Sequence, residues 1–152
     1  MSEKIVKIVA KGVLEGLEYL ESEGILHRDL KPSNIVIKQD FNNVAICDFG
    51  SAVRCIKDGE YAIEGFTRWY KCPEMLFGSR NYHYEVDIWS LGCILMELAT
   101  GEQLFPGKTE LEQISLISNF LGDPSPENWP SITKLHDFGK INFVKKDPKT
   151  IE

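Results

Sequence analysis

Residues 86–100 read VDIWSLGCILMELAT, an apolar run closed by Gly101. Its apolar positions fall nearly all round a helix rather than on one stripe, which predicts a helix buried at the centre of a domain. The stretch carries Glu97 and is far too short to span a bilayer. A chain of 152 residues has room for one domain with a single core around such a helix.

Two more helices are legible on either side. Ile5, Ile8, Val9, Val13, Leu17 and Leu20 follow helical spacing, and Gly24 is placed to end that helix. Pro106-Gly107 makes a turn, and Thr109 with Glu112 forms a capping box. The helix it opens sets Leu111, Ile114, Ile117 and Leu121 on one face and stops at Gly122. Between the outer helices, Ile35-Val36-Ile37 and Val44-Ala45-Ile46 are β-prone runs separated by the turn chemistry of Asp40-Phe41-Asn42-Asn43, and so predict a hairpin. Residues 50–84 show no sustained period, and loops of that length are usually functional. Pro124, Pro126 and Pro130 hold an irregular segment, and the stretch from residue 144 reads as a loosely ordered tail.

The hairpin brings chemistry together. Asn34 heads its first strand and Asp48 follows its second, so antiparallel pairing sets them side by side, roughly 5 Å apart in backbone spacing. A carboxylate beside an amide oxygen offers hard oxygen ligands to Mg²⁺. Asp29 and Lys31 lie two residues apart just upstream and point the same way if that loop is extended. One supplies a carboxylate to accept a hydroxyl proton, the other a cation to neutralise phosphate charge. Phosphoryl transfer needs that inventory and little else.

Charge and cysteine content narrow the alternatives. A net charge of −6 argues against a general nucleic-acid or anionic-membrane binder. Cys47, Cys55, Cys72 and Cys93 form no CxxC pair and stand at no metal-ligand spacing from the histidines. They read as reduced thiols of a cytoplasmic or nuclear protein. No apolar signal core follows the first residues.

Four motifs then carry a resemblance to a known family. His27-Arg28-Asp29-Leu30-Lys31-Pro32-Ser33-Asn34 followed by Asp48-Phe49-Gly50 resembles the catalytic and magnesium loops of eukaryotic protein kinases. Cys72-Pro73-Glu74 is similar to the motif that closes their activation segment, with cysteine in place of alanine. Asp87-Ile88-Trp89-Ser90-Leu91-Gly92 resembles the start of their buried central helix. Thr67 to Glu74 and Leu104 to Lys108 are similar to the cyclin-dependent and mitogen-activated kinase group. Among its subfamilies the chain looks closest to the cyclin-dependent kinases, in the cell-cycle-related branch.

The resemblance implies a protein kinase-like fold, C-terminal lobe only, mainly α-helical with a small antiparallel β hairpin. Residues 1–143 would form a partial kinase domain and 144–152 a tail, with the N-terminal lobe and the last helices absent. It implies serine/threonine kinase activity on proteins with ATP and Mg²⁺, directed to Ser-Pro or Thr-Pro sites. Asp29 would be the base, Lys31 would contact the γ-phosphate, and Thr67 would bond toward both. Asn34 and Asp48 would hold Mg²⁺, and Val36 would floor the adenine. His27 and Phe49 would stack, and Asp87 would anchor the catalytic loop. A cyclin or similar activator stays open as a partner; nucleic acid and membrane are not expected.

Departures from the family pattern carry expectations of their own. The positions of the two activating phosphoresidues of the group are Ala62 and Glu64 here, so Glu60 or Glu64 is expected to stand in as a fixed charge before Arg28. Lys71 replaces an arginine and cannot make its bidentate contact. Glu74 lacks the arginine that pairs with it in the family, which predicts a fragile and, in isolation, inactive chain. A non-catalytic binding module or a gene relic is the alternative reading.

Overall fold

The computed structural model describes residues 1–39, 43–56 and 59–141. The expected turn residues 40–42 and the tail from 144 lie outside them. Four helices and four short strands follow the chain as α1 (Glu3–Ser22), β1 (Ile25–Leu26), β2 (Ile35–Ile37), β3 (Val44–Ile46), β4 (Val53–Arg54), α2 (Pro73–Leu76), α3 (Glu85–Thr100) and α4 (Glu110–Leu121).

Helix α1 buries Val9, Val13, Leu17 and Leu20 and hands over through Gly24 at φ 67°, the left-handed turn the sequence predicts. On the adjoining face Gly12 and Gly16, one turn apart, face β3. A Cβ at Gly12 would stand 2.5 Å from Val44 Cβ, and one at Gly16 would stand 3.0 Å from Ile46 Cδ1. These two glycines let the hairpin lie against the helix, and that contact fixes where Asn34 and Asp48 emerge.

The hairpin forms as expected, with Ile35 opposite Ile46 and Ile37 opposite Val44. A second ladder, β1 with β4, was not foreseen: Leu26 pairs with Val53 and Ile25 with Arg54. Two residues per strand are too few to show a period in sequence. The long segment 50–84 is likewise built of short pieces, including β4, a 3₁₀ turn at Arg68–Tyr70 and α2.

Helix α3 is central but not enclosed. Val86, Leu91, Cys93 and Ile94 are buried, whereas Ile88 and Gly92 lie on an open stripe. In α4, Ile114 and Ile117 are buried as predicted, but Leu111 and Leu121 are exposed and Gln113 is buried instead. The cause is the preceding turn. Gln113 Oε1 accepts from Gly107 N at 3.0 Å, and a Cβ at Gly107 would meet Gln113 N at 2.6 Å, so that face of the helix is committed to the turn. Thr109 Oγ1 accepts from Glu112 N as a capping box requires, while Glu112 Oε2 accepts from Lys108 N, one residue before the cap.

The main core joins α1, α3 and α4 through residues such as Val13, Leu91, Ile94 and Ile117. A smaller cluster of Leu26, Tyr61, Cys72, Met75, Tyr82 and Val86 lies beneath the 50–84 segment. Beside α2, a cleft of about 620 Å³ is lined by Glu74, Trp89, Leu121 and Trp129. Burial pushes the Glu74 carboxyl up, and no salt bridge reaches it among the described residues.

Candidate active site

The loop between β1 and β2 is fixed from below. Asp87, buried at the start of α3, accepts His27 N through Oδ2 at 2.8 Å and Arg28 N through Oδ1 at 2.9 Å. Burial pushes the Asp87 carboxyl up, and these two N–H donors pull against it by favouring the charged form. Held this way, Arg28 adopts φ 71°, a left-handed conformation that costs a non-glycine residue on the order of 1–2 kcal/mol. Among the described residues Asp48 is the other such residue, at φ 64°. Both flank the candidate site, where strain of this kind tends to collect.

The strained loop aims Asp29 and Lys31 at a point that Thr67 reaches from the 50–84 segment. Lys31 Nζ lies 2.6 Å from Asp29 Oδ2 and donates to Thr67 Oγ1 at 3.2 Å. Thr67 donates to Asp29 Oδ1 from its hydroxyl at 2.6 Å and from its backbone N–H at 3.0 Å. Asp29, Lys31 and Thr67 thus form a closed ring of contacts across 38 residues of sequence. Burial pushes the Asp29 carboxyl up, but the bonds from Lys31 and Thr67 outweigh it and hold the group below the usual carboxylate range. It is a carboxylate at neutral pH.

Asn34, buried, donates from Nδ2 to Asp29 O at 2.8 Å, which turns its amide oxygen the other way. Cys47 N donates to Asn34 O at 2.9 Å and so sets Asp48 next to it. Asp48 Oδ1 also accepts from Gly50 N at 3.3 Å. An amide oxygen and a carboxylate at the outer ends of one hairpin suit a hard divalent cation, so the residues present fit Mg²⁺. Val36 is 54% exposed, an apolar side chain beside these polar groups.

His27 and Phe49 meet edge-on rather than stacked, with ring centroids 5.2 Å apart and planes at 70°. His27 Nε2 lies 3.0 Å from Cys47 O, tying the catalytic loop to the end of β3. The ring is committed to that carbonyl, which sets its angle to Phe49.

Arg28 differs from expectation. Its Nη2 donates to the carbonyls of Ala62, at 3.0 Å, and Glu64, at 2.5 Å, and not to a carboxylate. Its guanidinium lies over Phe66 at 5.2 Å and Tyr82 at 5.9 Å. The fixed-charge role expected of Glu60 or Glu64 is taken by backbone dipoles and aromatic faces. Tyr82 Oη reinforces this by donating to Ala62 O at 2.7 Å. Lys71 makes a single contact, 2.8 Å to Glu110, as its one-pronged head group requires. Ser90 and Tyr82 were missed in sequence. Ser90 Oγ donates to Tyr70 O at 2.8 Å, and nothing about a lone serine in an apolar helix announces that partner.

The family comparison finds that residues 1–149 match the model of the protein kinase domain. The chain belongs to the protein kinase family. It is 42% identical over 149 residues to human cyclin-dependent kinase 20, covering 97% of this chain and 43% of that protein. The zebrafish (Danio rerio) protein of the same name is 39% identical over the same span. Among solved structures, a chain of the yeast RNA polymerase II CTD kinase CTDK-1 complex superposes with a TM-score of 0.91 at 38% identity. That match covers 97% of this chain and 49% of the other. The chain therefore spans less than half the length of these relatives.

Proposed function

We propose that this chain is the C-terminal lobe of a serine/threonine protein kinase of the cyclin-dependent type, transferring the γ-phosphate of ATP to protein hydroxyls followed by proline. The observation that carries it is the closed contact of Asp29, Lys31 and Thr67. Asp29 accepts the proton of the incoming hydroxyl, being ionised at neutral pH and within reach of a hydroxyl already, that of Thr67. Lys31 moves from Asp29 toward the phosphate oxygens and neutralises their charge. Thr67 fixes the orientation of the carboxylate through two bonds to one oxygen. Asn34 and Asp48 would hold Mg²⁺, which would offset the charge of the phosphate when bound. Val36 offers an apolar floor to adenine. Residues 1–143 are the kinase portion, a cyclin-like activator is the expected partner, and the cytoplasm or nucleus the expected location.

The contacts of Arg28 support a second element of this reading, a segment that works without phosphorylation. Removing phosphate from an active form should leave its rate unchanged. Activity lost with a phosphate mapped to residues 59–66 would count against it.

The test joins this chain behind the part of human cyclin-dependent kinase 20 that precedes its match. Mg·ATP-dependent transfer to a Ser-Pro peptide is then compared for the parent and Asp29→Asn. Loss of a positioned base should lower the rate by about 10²–10⁴-fold, and the 152-residue chain alone should be inactive. Equal transfer by parent and variant would sink the catalytic reading. The second reading is a kinase-derived binding module. Partner binding retained by Asp29→Asn, with no turnover in the parent, would support it.

A further inference from the structure

The segment between β4 and α2 holds a second cluster of reactive groups, outside the candidate active site. Cys55 follows β4, and its N–H donates to Gly24 O at 2.7 Å, so the residue is pinned at the start of the segment. Its Sγ lies 3.6 Å from Nδ1 of His83, which stands just before α3. Nearby, the Tyr61 hydroxyl donates to Ile56 O at 3.3 Å and the Tyr84 hydroxyl to Glu21 O at 3.4 Å. Tyr61 is buried and locked, since Ile56 N donates to its Oη at 2.5 Å and its ring lies 5.0 Å from that of Tyr82. The thiol itself is only partly buried, unlike Cys72 and Cys93, which are enclosed.

We infer that Cys55 is a modification site, a thiolate paired with His83 that reacts with hydroperoxides to give a sulfenic acid. The sulfur attacks one peroxide oxygen and an S–O bond forms as the O–O bond breaks. Sulfur loses two electrons, and the peroxide takes them. The leaving oxyanion takes the proton shared by the Cys55–His83 pair, so the products are Cys55 sulfenic acid and water, or an alcohol when the peroxide is organic.

The surroundings favour the charged form of the sulfur. The bond from His83 lowers the Cys55 thiol, with those from Tyr61 and Tyr84 adding to it, against a smaller opposing effect of burial. Glu21 on α1 bears on Tyr84 and Arg28 on Tyr61, while Glu85 holds the His83 backbone N–H rather than its ring. Low-pKa, accessible thiols are the ones that oxidise. Burial pushes Cys72 and Cys93 the other way. The site also has a route to the catalytic loop. Tyr61 packs on Tyr82, and Tyr82 lies under Arg28 and bonds Ala62, so oxygen added at Cys55 presses on the segment that Arg28 holds. The reactivity itself does not depend on the kinase reading.

The experiment is iodoacetamide labelling of the full chain between pH 5.5 and 9, with each cysteine quantified by mass spectrometry. A parallel sample takes hydrogen peroxide and then dimedone to trap sulfenic acid. Cys55 should label with a midpoint below that of an ordinary thiol near 8.5. At pH 6.5 it should react about fivefold faster than in His83→Ala, and dimedone should mark Cys55 and not Cys72 or Cys93. A Cys55 profile with its midpoint at or above 8.5 in the unmutated chain, while Cys72 and Cys93 stay protected, would overturn the inference without recourse to any variant. So would peroxide exposure that leaves Cys55 free of dimedone.

Discussion

The catalytic loop and the cleft beside α2 lie on opposite sides of α3 and are finished to different degrees. Around the loop, Asp87 takes two backbone donors, Asp29 takes Lys31 and Thr67, Asn34 takes Asp29, and Arg28 takes two carbonyls. Among the described residues only Arg28 Nε is left buried without a partner there. Around the cleft, among the described residues, Trp89 Nε1 is buried without a partner and Glu74 is half-buried with no cation. The loop's polar groups, Arg28 Nε apart, are paired within this chain, while Trp89 Nε1 and Glu74 leave the cleft less complete. Unsatisfied buried polar groups cost roughly 1–3 kcal/mol each. The chain therefore carries its catalytic geometry and its weakness in separate places, and substitutions can address each independently.

The largest effect should come from Asp87→Ala. It strands two buried N–H donors and releases the left-handed Arg28, so the chain should lose about 3–5 kcal/mol in urea unfolding. A loss under about 1 kcal/mol would break the claim that this one carboxylate sets the loop. Gly12→Ala comes next and tests the hairpin's seat. Helix propensity alone predicts a gain of about 1 kcal/mol. The 2.5 Å approach to Val44 Cβ should reverse the sign and destabilise by about 1–3 kcal/mol.

The smallest effect sharpens the other side. Glu74→Gln should stabilise the chain by about 1 kcal/mol at pH 7, because it removes a desolvated charge with no cation beside it among the described residues. The sign follows from linkage. Burial raises the folded carboxyl above its unfolded value, so its favourable contribution is present below the unfolded pKa and is lost as pH rises through the folded one. The advantage of the variant should accordingly vanish below about pH 4. A destabilised Glu74→Gln at neutral pH would mean the cleft is better satisfied than its contacts indicate.

How much of this was readable in the sequence differs along the chain for physical reasons. Long periodic elements were legible, as Val9, Val13 and Leu17 in α1 attest, and so was the hairpin that joins Asn34 to Asp48. The triad of Asp29, Lys31 and Thr67 followed from motif order. Its distances did not, since Thr67 arrives from 38 residues away. Three things left no local mark. The positive φ of Arg28 and Asp48 is imposed by tertiary contacts on residues that ordinarily avoid it. The exposure of Leu111 depends on the Gly107–Gln113 turn rather than on helical period. The partners of Arg28 are carbonyls, which every residue possesses, so composition could not distinguish them from the acidic side chains nearby.

The central claim is that contacts within this chain suffice to lock the catalytic loop, and native-state hydrogen exchange of the His27 and Arg28 amides tests it most directly. Both donate to the buried Asp87 carboxylate, so they should exchange as slowly as the core amides of Val13 and Ile94, and should become fast in Asp87→Ala. Exchange of His27 and Arg28 at the rate of open loops, with Val13 and Ile94 still protected, would show that the loop is not held by this chain alone.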